Sequence, residues 1–94
     1  MAYLLVRHKV KDFKKWKPYF DSHGVVREST GSKGGKVFRN SGNPNEVFIL
    51  LKWDSIDRAK QFTQLDDLKE TMEKAGVSDK PDIYFLEEIE EVES

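Results

Sequence analysis

The run Val47–Trp53, VFILLKW, limits the possible folds more than any other stretch. As a strand it puts Val47, Ile49, Leu51 and Trp53 on one face and Phe48 and Leu50 on the other, because successive side chains point to opposite sides. A strand that is apolar on both faces belongs in the middle of a sheet covered on both sides. SGNPN, a dense group of turn formers, separates it from Lys36–Asn40. The two runs therefore read as a hairpin, with the first strand over 36–40 and the second over 46–53.

The remaining segments fall around that hairpin. Tyr3–Val10 alternates as a strand, with Leu4, Val6, His8 and Val10 opposite Tyr3, Leu5, Arg7 and Lys9. Asp12 is a suitable N-cap for a helix. In that helix Phe13, Trp16, Phe20, His23 and Arg27 fall within an arc of roughly 80°. Pro18 is expected to kink or divide the helix, and Gly24 is a weak stop, so the helix frays there or runs on to about Ser29. Thr30–Lys36, TGSKGGK, reads as a mobile connector. Its glycines suggest a phosphate loop, but no helix follows to supply the N–H groups such a loop needs. Asp54 or Ser55 caps a second helix with Ile56, Ala59 and Phe62 inward. The pattern slips phase at Gln64–Asp67 and restarts with Leu65, Leu68, Met72 and Ala75, ending at Gly76. Pro81 precedes a last strand, Asp82 to about Val92, and the acidic tail ends exposed.

This order is β-α-β-β-α-β: one ferredoxin-like α+β domain over 1–94 with a four-stranded antiparallel sheet. Right-handed crossovers put both helices on the same face. Tyr3, Leu5, Phe48, Leu50, Tyr84 and Leu86 are then left on the other face. So much apolar surface in water is unfavourable, and the expected remedy is a homodimer with the open sheets face to face. Sixteen basic against seventeen acidic residues argue against a nucleic-acid or anionic-membrane surface. With no cysteine, disulfides and thiolate sites are excluded. MAYLLVRHKV is too short and too charged for a signal or a span, so a cytoplasmic protein is expected.

The helical stripe begins aromatic and ends with an imidazole and a guanidinium. Polar groups on a buried face need partners, and a ligand in a pocket under the helix would supply them. His8 interrupts an apolar strand face and suits a general base. His23 and Arg27 suit a clamp for a carboxylate or an oxyanion. These three are the candidate catalytic residues. Trp16, Phe20 and Trp53, with Tyr19, would enclose a planar ligand, and Tyr84 is a further phenol donor. No convincing metal set or dinucleotide fingerprint is present.

The runs VKDFKKWKPYFDSHGVVR, VFRNSGNPNEVFILLKWDSIDRAKQF, MEKAGV and IYFLEEIEE resemble the antibiotic-biosynthesis-monooxygenase-like, or "cyclase", members of the dimeric α+β barrel superfamily. The resemblance covers nearly the whole chain. It implies a dimeric barrel and a small-molecule pocket that works without cofactor, metal or flavin, activating a substrate that reacts with O₂ once deprotonated. Trp16 in DFxxW, with His23 and Arg27, matches the "cyclase"-like subgroup. The Asn/Trp/His arrangement of the haem-degrading branch is missing. The expected function is a cofactor-independent monooxygenase or cyclase-type enzyme acting on a planar polyketide- or quinol-like compound. The alternatives are a non-catalytic ligand-binding or stress-responsive barrel, and a structural dimer without a pocket.

Overall fold

The computed structural model describes residues 2–94. The elements run β1 (Ala2–Lys9), α1 (Phe13–Ser22), α2 (Gly24–Thr30), β2 (Ser32–Asn40), β3 (Asn43–Trp53), α3 (Ile56–Thr63), α4 (Asp66–Lys74) and β4 (Asp82–Glu87). The sheet order is β2-β3-β1-β4 with all pairs antiparallel. This is the expected ferredoxin-like α+β arrangement, each helical crossover being split in two. β3 lies inside the sheet, as its two apolar faces require. Val47 pairs with His8, and Ile49 with both Val6 and Val37.

Leu4, Val47 and Trp53 are fully buried beneath the helices, with Ile49, Leu51, Ala59 and Phe62 nearly so. Burying each large aliphatic or aromatic side chain contributes about 1.5–3 kcal/mol. The opposite face is uncovered: Phe38, Tyr84 and Leu86 are exposed, while Tyr3, Leu5, Phe48 and Leu50 are half-buried. Among the described residues, no helix is long and apolar enough to cross a membrane.

Local chemistry explains where the boundaries fall. Asp12 caps α1, its carboxylate accepting from the Lys14 N–H at 2.9 Å. The helix passes through Pro18 without ending. Pro18 and Lys14 are both exposed, so water can serve the carbonyl that proline cannot. The division comes later, at His23, whose carbonyl accepts from Val26 and Arg27 as α2 begins. Ser55 caps α3 by accepting from the Arg58 N–H, and Gly76, at φ 82°, follows the end of α4.

Three boundaries differ from expectation. The glycine-rich connector over 30–36 is largely strand, because β2 starts at Ser32. Gly35 makes this possible: a Cβ there would lie 1.9 Å from the Leu50 carbonyl oxygen, so only glycine lets the two backbones pair this closely. A register shift between Ser32 and Gly35 marks a bulge at the same place. The hairpin turn shrinks to Ser41–Gly42, and β3 begins at Asn43, which pairs with Asn40. β4 ends at Glu87 rather than near Val92, because Glu87 pairs with Ala2, where the described part of β1 begins.

Candidate functional site

A cavity of about 60 Å³ lies between the sheet and helices α1, α3 and α4. Leu4, Val6, Ile49 and Leu51 form its floor, and Phe62, Leu68 and Met72 close it from the helices. His8, Trp16, Phe20, His23 and Arg27 all reach this one cavity. Strand parity brings His8 there with Leu4 and Val6. Helical spacing brings the other four, the stripe continuing across the α1–α2 junction.

His8 is 2% exposed, and among the described residues its Nδ1 has no hydrogen-bond partner. Its ring meets Trp16 edge to face, with centroids 5.6 Å apart. Burial pushes the His8 pKa down, so at neutral pH the imidazole is uncharged and can accept a proton. An orphaned polar atom in an apolar cavity is costly unless something binds it.

The aromatic wall is continuous. Trp16 stacks on Phe20 at 5.0 Å, and the Arg27 guanidinium lies 3.7 Å from the centroid of the Phe20 ring. Arg27 Nη1 also donates to the Phe20 carbonyl at 2.7 Å. Burial lowers the Arg27 pKa, although arginine keeps its charge in proteins. Among the described residues no carboxylate pairs with it. His23, 7% exposed, is held differently. Its Nε2 lies 2.7 Å from Asp67 Oδ2, in the first turn of α4.

Trp53 and Tyr84 are not brought to the cavity. Trp53 is on the correct face but beyond Leu51, where its ring packs on Phe62 at 5.0 Å and is fully buried. Tyr84 faces the other side of the sheet, opposite Leu5, and is 53% exposed. Tyr19 is exposed as well. Asp67 and Thr71 were not singled out from the sequence, and Thr63 and Met72 were read only as part of the helix faces; Thr63, Thr71 and Met72 line the cavity and Asp67 holds His23. Asp67 looked like an ordinary helix-start carboxylate. Only the restarted apolar pattern from Leu65 signalled that α4 faces inward.

Phe20, Arg27 and Leu51 form a common wall between the cavity and a wider groove of about 660 Å³ beside α2 and the start of β2. Glu28, Ser32, Lys33, Lys36 and Val37 help line the groove. Among the described residues no group of three or more His, Cys, Asp or Glu is placed to hold a metal ion.

The chain shares the fold of antibiotic biosynthesis monooxygenase-like proteins of the dimeric α+β barrel superfamily. A crystal structure of one such candidate monooxygenase from Bordetella bronchiseptica matches with a TM-score of 0.78 at 13% identity, over 94% of this chain and 96% of that one. A mutant of SnoaB, a cofactor-independent oxygenase from Streptomyces nogalater, matches with a TM-score of 0.76 at 9% identity, over 99% and 97% of the two chains. In sequence, 65 residues, 67% of this chain, are 31% identical to a Haloarcula marismortui protein named as a candidate heme-binding protein. That stretch makes up 10% of the relative's length. No protein-family model matches.

Proposed function

We propose that this protein binds a small planar, ionisable molecule of quinol or polyketide type beneath α1 and oxidises it as a cofactor-independent monooxygenase. The observation that carries this reading is His8, a buried neutral imidazole whose Nδ1 has no partner among the described residues in a largely apolar cavity. A phenol or enol would satisfy that nitrogen and give up its proton to it. Trp16 and Phe20 would sandwich the ring, and Arg27 with the Asp67-held His23 would stabilise the negative oxygen that forms. The resulting anion reacts with O₂ directly. For a methylene flanked by aromatic rings the balance is R₂CH₂ + O₂ → R₂C=O + H₂O. The cavity has room for roughly four waters; a ring displaces them, and the flexible Met72 is the wall best able to yield.

The likeness to SnoaB supports the oxygenase side of the reading. The uncovered outer sheet face supports a homodimer, and a cytoplasmic location belongs to the same proposal. The test is oxygen uptake with a panel of anthrones, quinols and catechols. Turnover that survives EDTA, needs no flavin and is lost in His8→Ala supports the enzyme. Tight binding with no turnover across the panel would replace it with a ligand-binding protein, and turnover lost in EDTA and restored by iron would replace it with a metal mechanism.

The name of the Haloarcula relative brings haem into consideration. The residues do not fit it. Among the described residues the wider groove has no His, Cys, Met or Tyr in its lining to ligate iron, and His8 and His23 are buried in the smaller cavity, where Asp67 already holds His23.

A further inference from the structure

The wall between the two hollows has a chemistry of its own. Arg27 is half-buried, stacked on Phe20 and without a carboxylate partner, and it faces both the cavity and the groove. A half-buried cation with no counter-ion is unfavourable unless a charge is supplied from outside. On the groove side, exposed Lys33 adds a second cation beside Arg27, against the single carboxylate of Glu28. Gly34 and Gly35 leave the floor beside Lys33 without side chains. The cavity, by contrast, offers only neutral or already paired groups besides Arg27.

We propose that the ligand is a planar aromatic acid that straddles this wall, with its ring and phenolic oxygen in the cavity at His8 and its carboxylate in the groove on Arg27 and Lys33. This rests on the reading of the cavity as the ring site, and it adds the acid group as the determinant of specificity. It also accounts for the sizes: the small cavity takes the phenolic ring, and the rest of the molecule occupies the open groove. Arg27 forms the hinge of the recognition, because its fork of N–H donors suits a carboxylate while its face holds Phe20.

The test compares 2-naphthol with 6-hydroxy-2-naphthoate, whose carboxylate lies at the far end of the ring system from the phenol, by quenching of tryptophan fluorescence and by calorimetry. The carboxylate is expected to bind on the order of 10- to 100-fold more tightly, with an advantage that shrinks as salt is raised. In Arg27→Gln that ratio should fall close to one. Arg27 also holds the Phe20 carbonyl, so a folding defect is checked by thermal melting. The exposed variant Lys33→Gln gives an independent reading, with the ratio expected to fall severalfold. If both probes bind wild type equally, or if Lys33→Gln and Arg27→Gln leave the ratio unchanged, the acid subsite is wrong and the cavity reading stands. If neither probe binds, the cavity reading fails and the subsite with it.

Discussion

Both faces of the sheet carry large apolar side chains, and they are incomplete in opposite ways. On the helix-covered face the apolar atoms are buried, but polar atoms are left wanting: among the described residues His8 Nδ1 and Trp53 Nε1 have no partner and no carboxylate pairs with Arg27. On the open face the polar groups are satisfied. Arg7 bonds Glu46 at 2.8 Å and Asp82 at 3.0 Å, and Tyr3 donates to Glu88 at 2.9 Å. There the apolar atoms are wanting, with Phe38, Tyr84 and Leu86 exposed around half-buried Leu5 and Leu50. Unmet hydrogen bonds in a cavity call for a small polar ligand, whereas unmet apolar surface calls for another protein. One face therefore reads as a site and the other as an assembly surface.

The largest effect that would test this contrast is on turnover. His8→Ala should reduce oxygen uptake on the order of 10²–10⁴-fold, the usual contribution of a positioned general base. Charge removal at exposed Lys14 should leave it within about twofold. A loss no larger than the Lys14 control would end the assignment of the covered face as the reacting one. Next comes assembly. Leu50→Lys puts a charge on the open face opposite Lys36 and Leu5, and light scattering at low micromolar concentration should change from twice the chain mass to one chain. A wild-type monomer, or a variant that remained dimeric, would leave the open face without its proposed partner.

Backbone contact gives a third and smaller effect, and it separates the faces locally. Gly35 belongs to the inner side of the β2–β3 pair, where an added Cβ would strike the Leu50 carbonyl and the Leu51 Cα. Gly35→Ala should cost about 1–3 kcal/mol by denaturant unfolding, the range for forcing atoms into a packed contact. Gly42→Ala, whose Cβ would meet only Asn40 Oδ1 at 3.5 Å, should cost much less. Equal costs would mean that the bulge gives way freely.

The same contrast shows what the sequence could and could not convey. Strand parity sorted the two faces correctly, because a period of two in VFILLKW leaves no alternative once the strand is central. Helical spacing also grouped Trp16, Phe20, His23 and Arg27, and the cavity joins them to His8. The remaining features depend on contacts between distant segments. Asp67 finds His23 across 44 positions of chain, and the phase slip before α4 conceals which residues turn inward. Trp53 and Tyr84 were grouped with the site by ring type, yet one lies beyond the cavity under Phe62 and the other across the sheet. The strand through Ser32–Lys36 was obscured because glycine signals a loop locally, while its lack of a side chain is what admits the neighbouring backbone.

The smallest predicted effect is thermodynamic. Burial depresses the His8 pKa below its ordinary value of 6.5, against weaker opposition from its own backbone and from Asp79, with Arg7 adding to the depression. Above 6.5 the imidazole is neutral in both folded and unfolded chains, so it exerts no pH dependence on folding. As pH falls below 6.5 the unfolded chain takes up a proton that the folded chain refuses, and stability declines until the depressed folded pKa is reached. The slope from this one group is at most about 1.4 kcal/mol per pH unit. Glu46 works in a lower window, its carboxyl held down by Asn40 and Arg7 from 4.5, and the difference between wild type and a His8 variant, measured between pH 5 and 7.5, reports on this histidine. His8→Leu fills the same space with no proton to bind and removes the orphaned nitrogen. It should flatten the acid slope and unfold at higher temperature than wild type near pH 5.5, while abolishing the proposed proton transfer. A variant with the wild-type slope would mean that His8 titrates freely, and the covered face would lose the unmet polar group that distinguishes it from the open one.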